Sequence, residues 1–172
     1  MRLAGLVYRA HHPRWATSPT SGQGAALHGG RFNAKGIAAL YTSRRLETAW
    51  LEAQQSFPFK AQPMTLCIYE VDCEDVVDLT RPEERSRLGI DEADLACAWE
   101  HLAAQGRLPA SWLLAQGLVS KGIAGIIVRS YAAGATAADI NAVFWRWTDQ
   151  PPHQVRIVDD FGRLPKDDAS WR

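Results

Sequence analysis

The chain has 172 residues, 47% of them hydrophobic, which is long enough for one domain with a substantial core and short for two. Lysine plus arginine number 19 and aspartate plus glutamate number 19, so the summed charge gives no electrostatic footprint for DNA, RNA or an anionic membrane, and no direct nucleic-acid contact is expected. The opening MRLAGLVYRAHHPRW lacks the apolar run of a signal peptide and no later stretch approaches the roughly 20 apolar residues that span a bilayer, so a cytoplasmic location without membrane association is expected.

Residues 16–36 are rich in Gly, Ser, Thr and Pro and predict a long ordered loop of the kind that often carries function. IAALYTS then predicts a short strand, with Thr42 or Ser43 as cap of a helix over about Arg44 to Gln55. Leu46, Ala49, Trp50 and Ala53 fall on one face of that helix. At 100° per residue Glu52 lies about 60° from Ala49, on the shoulder of the face, where it can look into a cleft; Glu47 is assigned to solvent.

MTLCIYEVD alternates as a strand, with Cys67, Tyr69 and Val71 on one side and Leu66 and Ile68 on the other, and DVVDLT follows as a second extended piece. DEADLACAWEHLAAQ predicts one helix capped by Asp91, with Leu95, Trp99, Leu102 and Ala103 as its buried stripe. SWLLAQGLVSK predicts another helix ending at Gly122, and IAGIIV a strand buried on both faces. VFWRW and VRIVD are expected as two further strands, separated by the turn-prone TDQPPH. The sum over residues 1–172 is a single α+β domain with a mixed β core and flanking helices. Trp50, Trp99, Trp112, Trp145 and Trp147 are expected in the core, whereas Trp15 in the Pro-rich leader borders either a ligand pocket or a partner interface.

Several chemistries lack their signatures. There is no GxxxxGK[ST], GQGAAL lacks the third glycine of GxGxxG, and no GxSxG elbow is present. Cys67, Cys73 and Cys97 are odd in number and show no CxxC spacing, which suggests neither a disulfide framework nor a zinc site. His11 and His12 are adjacent and diverge in regular structure, so no metal is expected.

GGRFN with Arg31, LYTS with Tyr41, WLE with Glu52, GIIVRS with Ser130 and DINAVFW with Asn141 together resemble the RES domain family, named for an Arg, a Glu and a Ser. The motifs fall in family order over nearly the whole chain, from the YRAHHPRW start to the late NAVFW strand. The resemblance implies an ADP-ribosyltransferase-like fold, NAD⁺ as substrate, and the toxin role of a bacterial type II toxin–antitoxin pair with a cognate Xre-like antitoxin. It also implies either transfer of ADP-ribose to a protein or destruction of NAD⁺ by hydrolysis or phosphorolysis. The PRWATSPTSGQGAAL leader is similar to the ParT-like branch, which modifies phosphoribosyl pyrophosphate synthetase.

The residues suit that chemistry. NAD⁺ presents two phosphates, a cationic nicotinamide and a C–N bond whose cleavage builds positive charge on ribose. Arg31 can fork onto phosphate oxygens beside glycines that admit the ligand, or simply clamp a loop carboxylate. Tyr41 can stack on the nicotinamide ring, or be half-buried packing. Glu52 can hold a ribose hydroxyl and stabilise the oxocarbenium-like transition state; the leaving group departs neutral, so one carboxylate suffices. Ser130 can orient Glu52, bind ribose or close a turn, and Asn141 can join the site or satisfy local backbone groups. His28 can reach the adenosine or a phosphate, or remain an exposed loop histidine. A protein acceptor for the ADP-ribose, water or phosphate as acceptor, and a catalytically silent antitoxin-binding module are the three functional readings. An antitoxin segment covering the cleft is the simplest mode of inhibition.

Overall fold

A computed structural model describes residues 1–54 and 63–169. Seven strands form one mixed sheet: β1 (Leu3–His11), β2 (Leu40–Ser43), β3 (Thr65–Cys73), β4 (Val76–Asp78), β5 (Gly125–Arg129), β6 (Ile140–Phe144) and β7 (His153–Ile157), in spatial order β4-β5-β6-β2-β1-β3-β7. Only the β4–β5 pair is parallel. The helices are α1 (Gln23–His28), α2 (Leu46–Ala53), α3 (Pro82–Leu88), α4 (Glu92–Leu95), α5 (Trp99–Ala104) and α6 (Ala110–Ser120). This is the α+β class expected from the sequence, with flanking helices, and it is consistent with an ADP-ribosyltransferase-like core.

The sheet has two halves joined at a narrow seam. β1 and β3 pair along nine positions, from Leu3↔Cys73 to His11↔Thr65, whereas β1 meets β2 at Tyr8↔Ser43 alone. One apolar cluster draws on both halves, joining Leu3, Val7, Tyr69 and Val155 to Leu40, Ala142 and Phe144. A second lies on the other face of β5 and β6, where Ile126, Val128 and Val143 meet Leu95 of α4 and Ala115 and Leu118 of α6. Burial of IAGIIV on both faces follows from these two clusters. Each fully buried Leu, Ile or Phe here contributes on the order of 1.5–3 kcal/mol.

Several local expectations are corrected. α2 hides Thr48 and Ala49, while Leu46 and Trp50 are 44% and 48% exposed, so the buried face is rotated from the apolar stripe and Trp50 is not core. Gln55, the expected end of this helix, lies outside the described residues. The helix expected over residues 91–105 is broken into α4 and α5. β6 ends at Phe144, so Trp145 and Trp147 lie beyond the strand and do not share a side; Trp145 packs with the second cluster and Trp147 with the first. β7 begins two residues earlier than VRIVD. The 16–36 segment contains α1, and β1 and α3 are elements without a sequence-based expectation. No helix among the described residues is long and apolar enough to cross a membrane.

Candidate active site

The central strands and α2 bring distant residues together. On β2 and β6 the pairs Tyr41↔Val143 and Ser43↔Asn141 place alternate side chains on one face of the sheet. α2 packs over β1 beside that face and carries Glu52. Ser130 follows the last residue of β5, and β5 and β6 are neighbours, so Ser130 and Asn141 reach the same carboxylate. Ser130 Oγ donates to Glu52 Oε1 at 2.6 Å, and Asn141 Nδ2 donates to the same oxygen at 2.5 Å. The amide is oriented from behind by Ser43 Oγ, which donates to Asn141 Oδ1 at 2.8 Å.

Ser130 also performs the turn role: its Oγ accepts from the Ala132 amide at 3.2 Å, and its own amide donates to the Asp139 carbonyl at 2.7 Å. Glu47 is exposed and lies 3.5 Å from Arg45. The assignment of one helix glutamate inward and the other outward thus matches their placement.

Arg31 enters from the glycine loop. Its Nη1 donates to the carbonyls of Cys97 at 2.7 Å and Leu95 at 3.2 Å, and its guanidinium lies 4.5 Å from the centre of the Tyr131 ring. These carbonyls are available because the chain leaves the helix between α4 and α5, with the Trp99 amide turning to the Cys97 carbonyl. The arginine therefore clamps a loop, through carbonyls rather than a carboxylate. Among the described residues no carboxylate pairs with it within 4.0 Å. Burial draws its pKa down, with Cys97, Tyr131 and Glu52 acting the other way. A partly desolvated guanidinium without a paired anion attracts an anionic ligand more strongly than one in open water.

Tyr41 is fixed at its hydroxyl, which accepts from the Phe32 amide at 2.9 Å and donates to Asn33 Oδ1 at 2.8 Å. Burial drives its pKa strongly upward, so it stays a neutral phenol. Asn33 in turn spans the loop, donating to the carbonyls of Ala25 and Ile37, both at 2.8 Å. Trp112 Nε1 donates to the Gly30 carbonyl at 2.7 Å and Trp145 Nε1 to the Phe32 carbonyl at 2.9 Å. GGRFN is thus a rigid loop held on four sides.

A cavity of about 510 Å³ is lined by Gly29, Gly30, Arg31, Tyr41, Glu52 and Asn141 among others, within the range of small-molecule sites. A smaller cavity of about 160 Å³ shares Arg9, Tyr41, Glu52 and Asn141 with it, so the carboxylate stands where the two spaces meet. Ser130 stands behind Glu52, and exposed His28 ends α1 away from the lining. Trp15 is half-buried beside Arg14 and also off the lining.

Sequence reasoning missed Arg9, Trp99, Glu100, Arg129 and Tyr131 among the lining residues. Trp99, a core residue by its helical spacing, instead borders the cavity and forms a tilted pair with Trp112 at 6.4 Å. The signal for Arg9 was available in the alternation of LAGLVYRAH, where it falls on the inward side with Leu3, Val7 and His11. Its Nη1 donates to the carbonyls of Pro19 and Ser21, both at 3.2 Å.

Among the described residues no group of three or more His, Cys, Asp or Glu side chains could hold a metal ion. A family model described as the RES domain matches residues 6–167, nearly the whole chain. No curated protein matches the chain.

Proposed function

The chain belongs to the RES domain family, and from that premise we propose that it is the toxin of a bacterial type II toxin–antitoxin pair, acting as one cytoplasmic domain that cleaves the nicotinamide–ribose bond of NAD⁺ and transfers ADP-ribose to a protein. The observation that carries this reading is the Glu52 carboxylate, held by Ser130 and Asn141 on the wall of a cavity that also presents Arg31 and Tyr41. In this mechanism Arg31 binds the pyrophosphate, and the Tyr41 ring faces the nicotinamide. Glu52 stabilises the positive charge that builds on C1″ as the C–N bond breaks and the bonding pair leaves with neutral nicotinamide. Ser130 and Asn141 fix the carboxylate before the charge develops, so no reorganisation is needed at the moment of reaction.

The protein acceptor rests on the resemblance of residues 13–27 to the ParT-like branch, with phosphoribosyl pyrophosphate synthetase as its candidate target. A second reading, capture by water or phosphate, is favoured by the smaller cavity: at about 160 Å³ it holds several waters or one small oxyanion, and it opens on the same carboxylate. A cognate Xre-like antitoxin would inhibit either activity by covering the cleft.

One experiment tests these readings. The protein is incubated with NAD⁺ and a bacterial lysate, and both small-molecule products and proteins are weighed. A protein heavier by one ADP-ribose supports transfer; free ADP-ribose or its 1″-phosphate without labelling supports the second reading. Glu52→Gln keeps an oxygen for Ser130 and loses the charge, and it is expected to slow nicotinamide release by about 10²–10³-fold. Release unchanged in a folded Glu52→Gln would sink both versions.

A further inference from the structure

Behind Glu52 lies a residue that touches neither cavity. The Asp139 carboxylate, 8% exposed, accepts from Thr48 Oγ1 at 2.6 Å and from the Thr136 amide and hydroxyl at 2.8 and 2.9 Å. Its backbone carbonyl accepts from the Ser130 amide at 2.7 Å. Thr48 is wholly buried on α2, four residues before Glu52, so the two share a helix face one turn apart. Asn141 follows two residues after Asp139. One side chain and its backbone therefore join the helix bearing Glu52 to Ser130 and Asn141, which donate to the Glu52 carboxylate.

The helix has need of such a tie. Only Thr48 and Ala49 of α2 are buried, its Arg45 cap makes no side-chain cap bond, and Leu46 and Trp50 are exposed, so among the described residues little apolar packing fixes its position over the sheet. A hydrogen bond to an ionised carboxylate is about twice as strong as a neutral one, and it is directional where apolar packing is not. We infer that Asp139 is a positioning residue: through Thr48 and the Ser130 amide it sets the distance between the Glu52 carboxylate and its donors Ser130 and Asn141. This inference rests on the reading of Glu52 as the group that acts on NAD⁺.

The test compares Thr48→Val, which keeps the shape and removes the hydroxyl, with Thr48→Ser, which restores it. Two readouts are followed: the NMR signal of the Asn141 side-chain amide, which needs no substrate, and kcat and KM for nicotinamide release. In Thr48→Val the Asn141 signal is expected to move toward that of a free amide, and kcat to fall by about tenfold or more with KM within roughly twofold, because a misplacement of the order of 1 Å costs up to about 10²-fold. Thr48→Ser is expected to return both readouts toward the parent. A folded Thr48→Val with both readouts unchanged overturns the inference, as does a Ser variant as impaired as the Val variant. If Thr48→Val does not fold, Asp139→Asn takes its place, expected to move both readouts the same way and overturning the inference if it moves neither. Should the parent release no nicotinamide, the NAD⁺ reading fails, and the positioning role is then decided by the Asn141 signal alone.

Discussion

Gly30→Ala probes the loop that presents Arg31. Gly30 is not among the residues with positive φ, so alanine suits its backbone conformation and the barrier is space. An added Cβ would stand 2.6 Å from the Tyr41 hydroxyl and 2.7 Å from Asn33 Oδ1, the two partners of the hydrogen bond that holds the loop. Neither can retreat freely, because the phenol also accepts from the Phe32 amide and Asn33 also ties to Ala25 and Ile37. Overpacking of this kind costs about 1–3 kcal/mol, and the weakened Tyr41–Asn33 bond adds roughly 1 kcal/mol. At about 2–4 °C per kcal/mol for a chain of this size, the combined 2–4 kcal/mol lowers the melting temperature by roughly 4–16 °C. Arg31 is the next residue, so NAD⁺ affinity is expected to fall as well. Gly24→Ala is the control: in α1, with no heavy atom within 4 Å of its added Cβ, it is expected to stabilise by about 0.4–1 kcal/mol. Urea unfolding and NAD⁺ titration measure both variants, and a Gly30→Ala protein within about 0.5 kcal/mol of the parent would refute the reasoning.

Tyr41→Phe separates ring from hydroxyl. It leaves the Phe32 amide without its partner and is expected to cost about 1–3 kcal/mol, while retaining the ring and hence nicotinamide release within tenfold of the parent; an equally stable Phe variant would show that the hydroxyl does not hold the loop. His11 gives a pH signature. Its Nδ1 donates to the His12 carbonyl at 3.0 Å, Nε2 lies 3.5 Å from Cys67 Sγ, and burial pulls its pKa below the ordinary value. The unfolded state therefore takes up a proton more readily, so the stability from neutral His11 is complete above the unfolded pKa near 6.5 and is lost as pH falls from there toward the folded value. Melting temperatures between about pH 7.5 and 5 are expected to fall more steeply for the parent than for His11→Gln; parallel curves would contradict this.

The elements most legible in the sequence were those with a clear period. β3 alternates as expected, with Cys67, Tyr69 and Val71 buried and Leu66 and Ile68 exposed, and the continuous apolar run of β5 lies between two clusters. Tertiary contacts decided the places where the pattern misled. DEADLACAWEHLAAQ has helical periodicity throughout, yet the chain opens between Leu95 and Trp99, where Arg31 from 64 and 66 residues away takes the carbonyls of Leu95 and Cys97. Local propensity carries no trace of that arginine. β1 was obscured by its charged and histidine-rich end, although Arg9 and His11 both face inward with Leu3 and Val7. In the site, the three-way meeting of Glu52, Ser130 and Asn141 has no local spacing to announce it, since the partners lie 78 and 89 residues from the glutamate. The sequence points to the ring of Tyr41, whereas the structure engages its hydroxyl.

Those long separations also govern when the site can exist during synthesis. β6 carries Asn141 and lies between β5 and β2, so it ties β4 and β5 to the rest of the sheet and is also a wall of the cavity. A ribosome that has delivered Glu52 but not yet Ser130 and Asn141 has made a chain that lacks those two donors to the carboxylate, together with strands β5 and β6. The constellation therefore forms only once most of the polypeptide is free to fold.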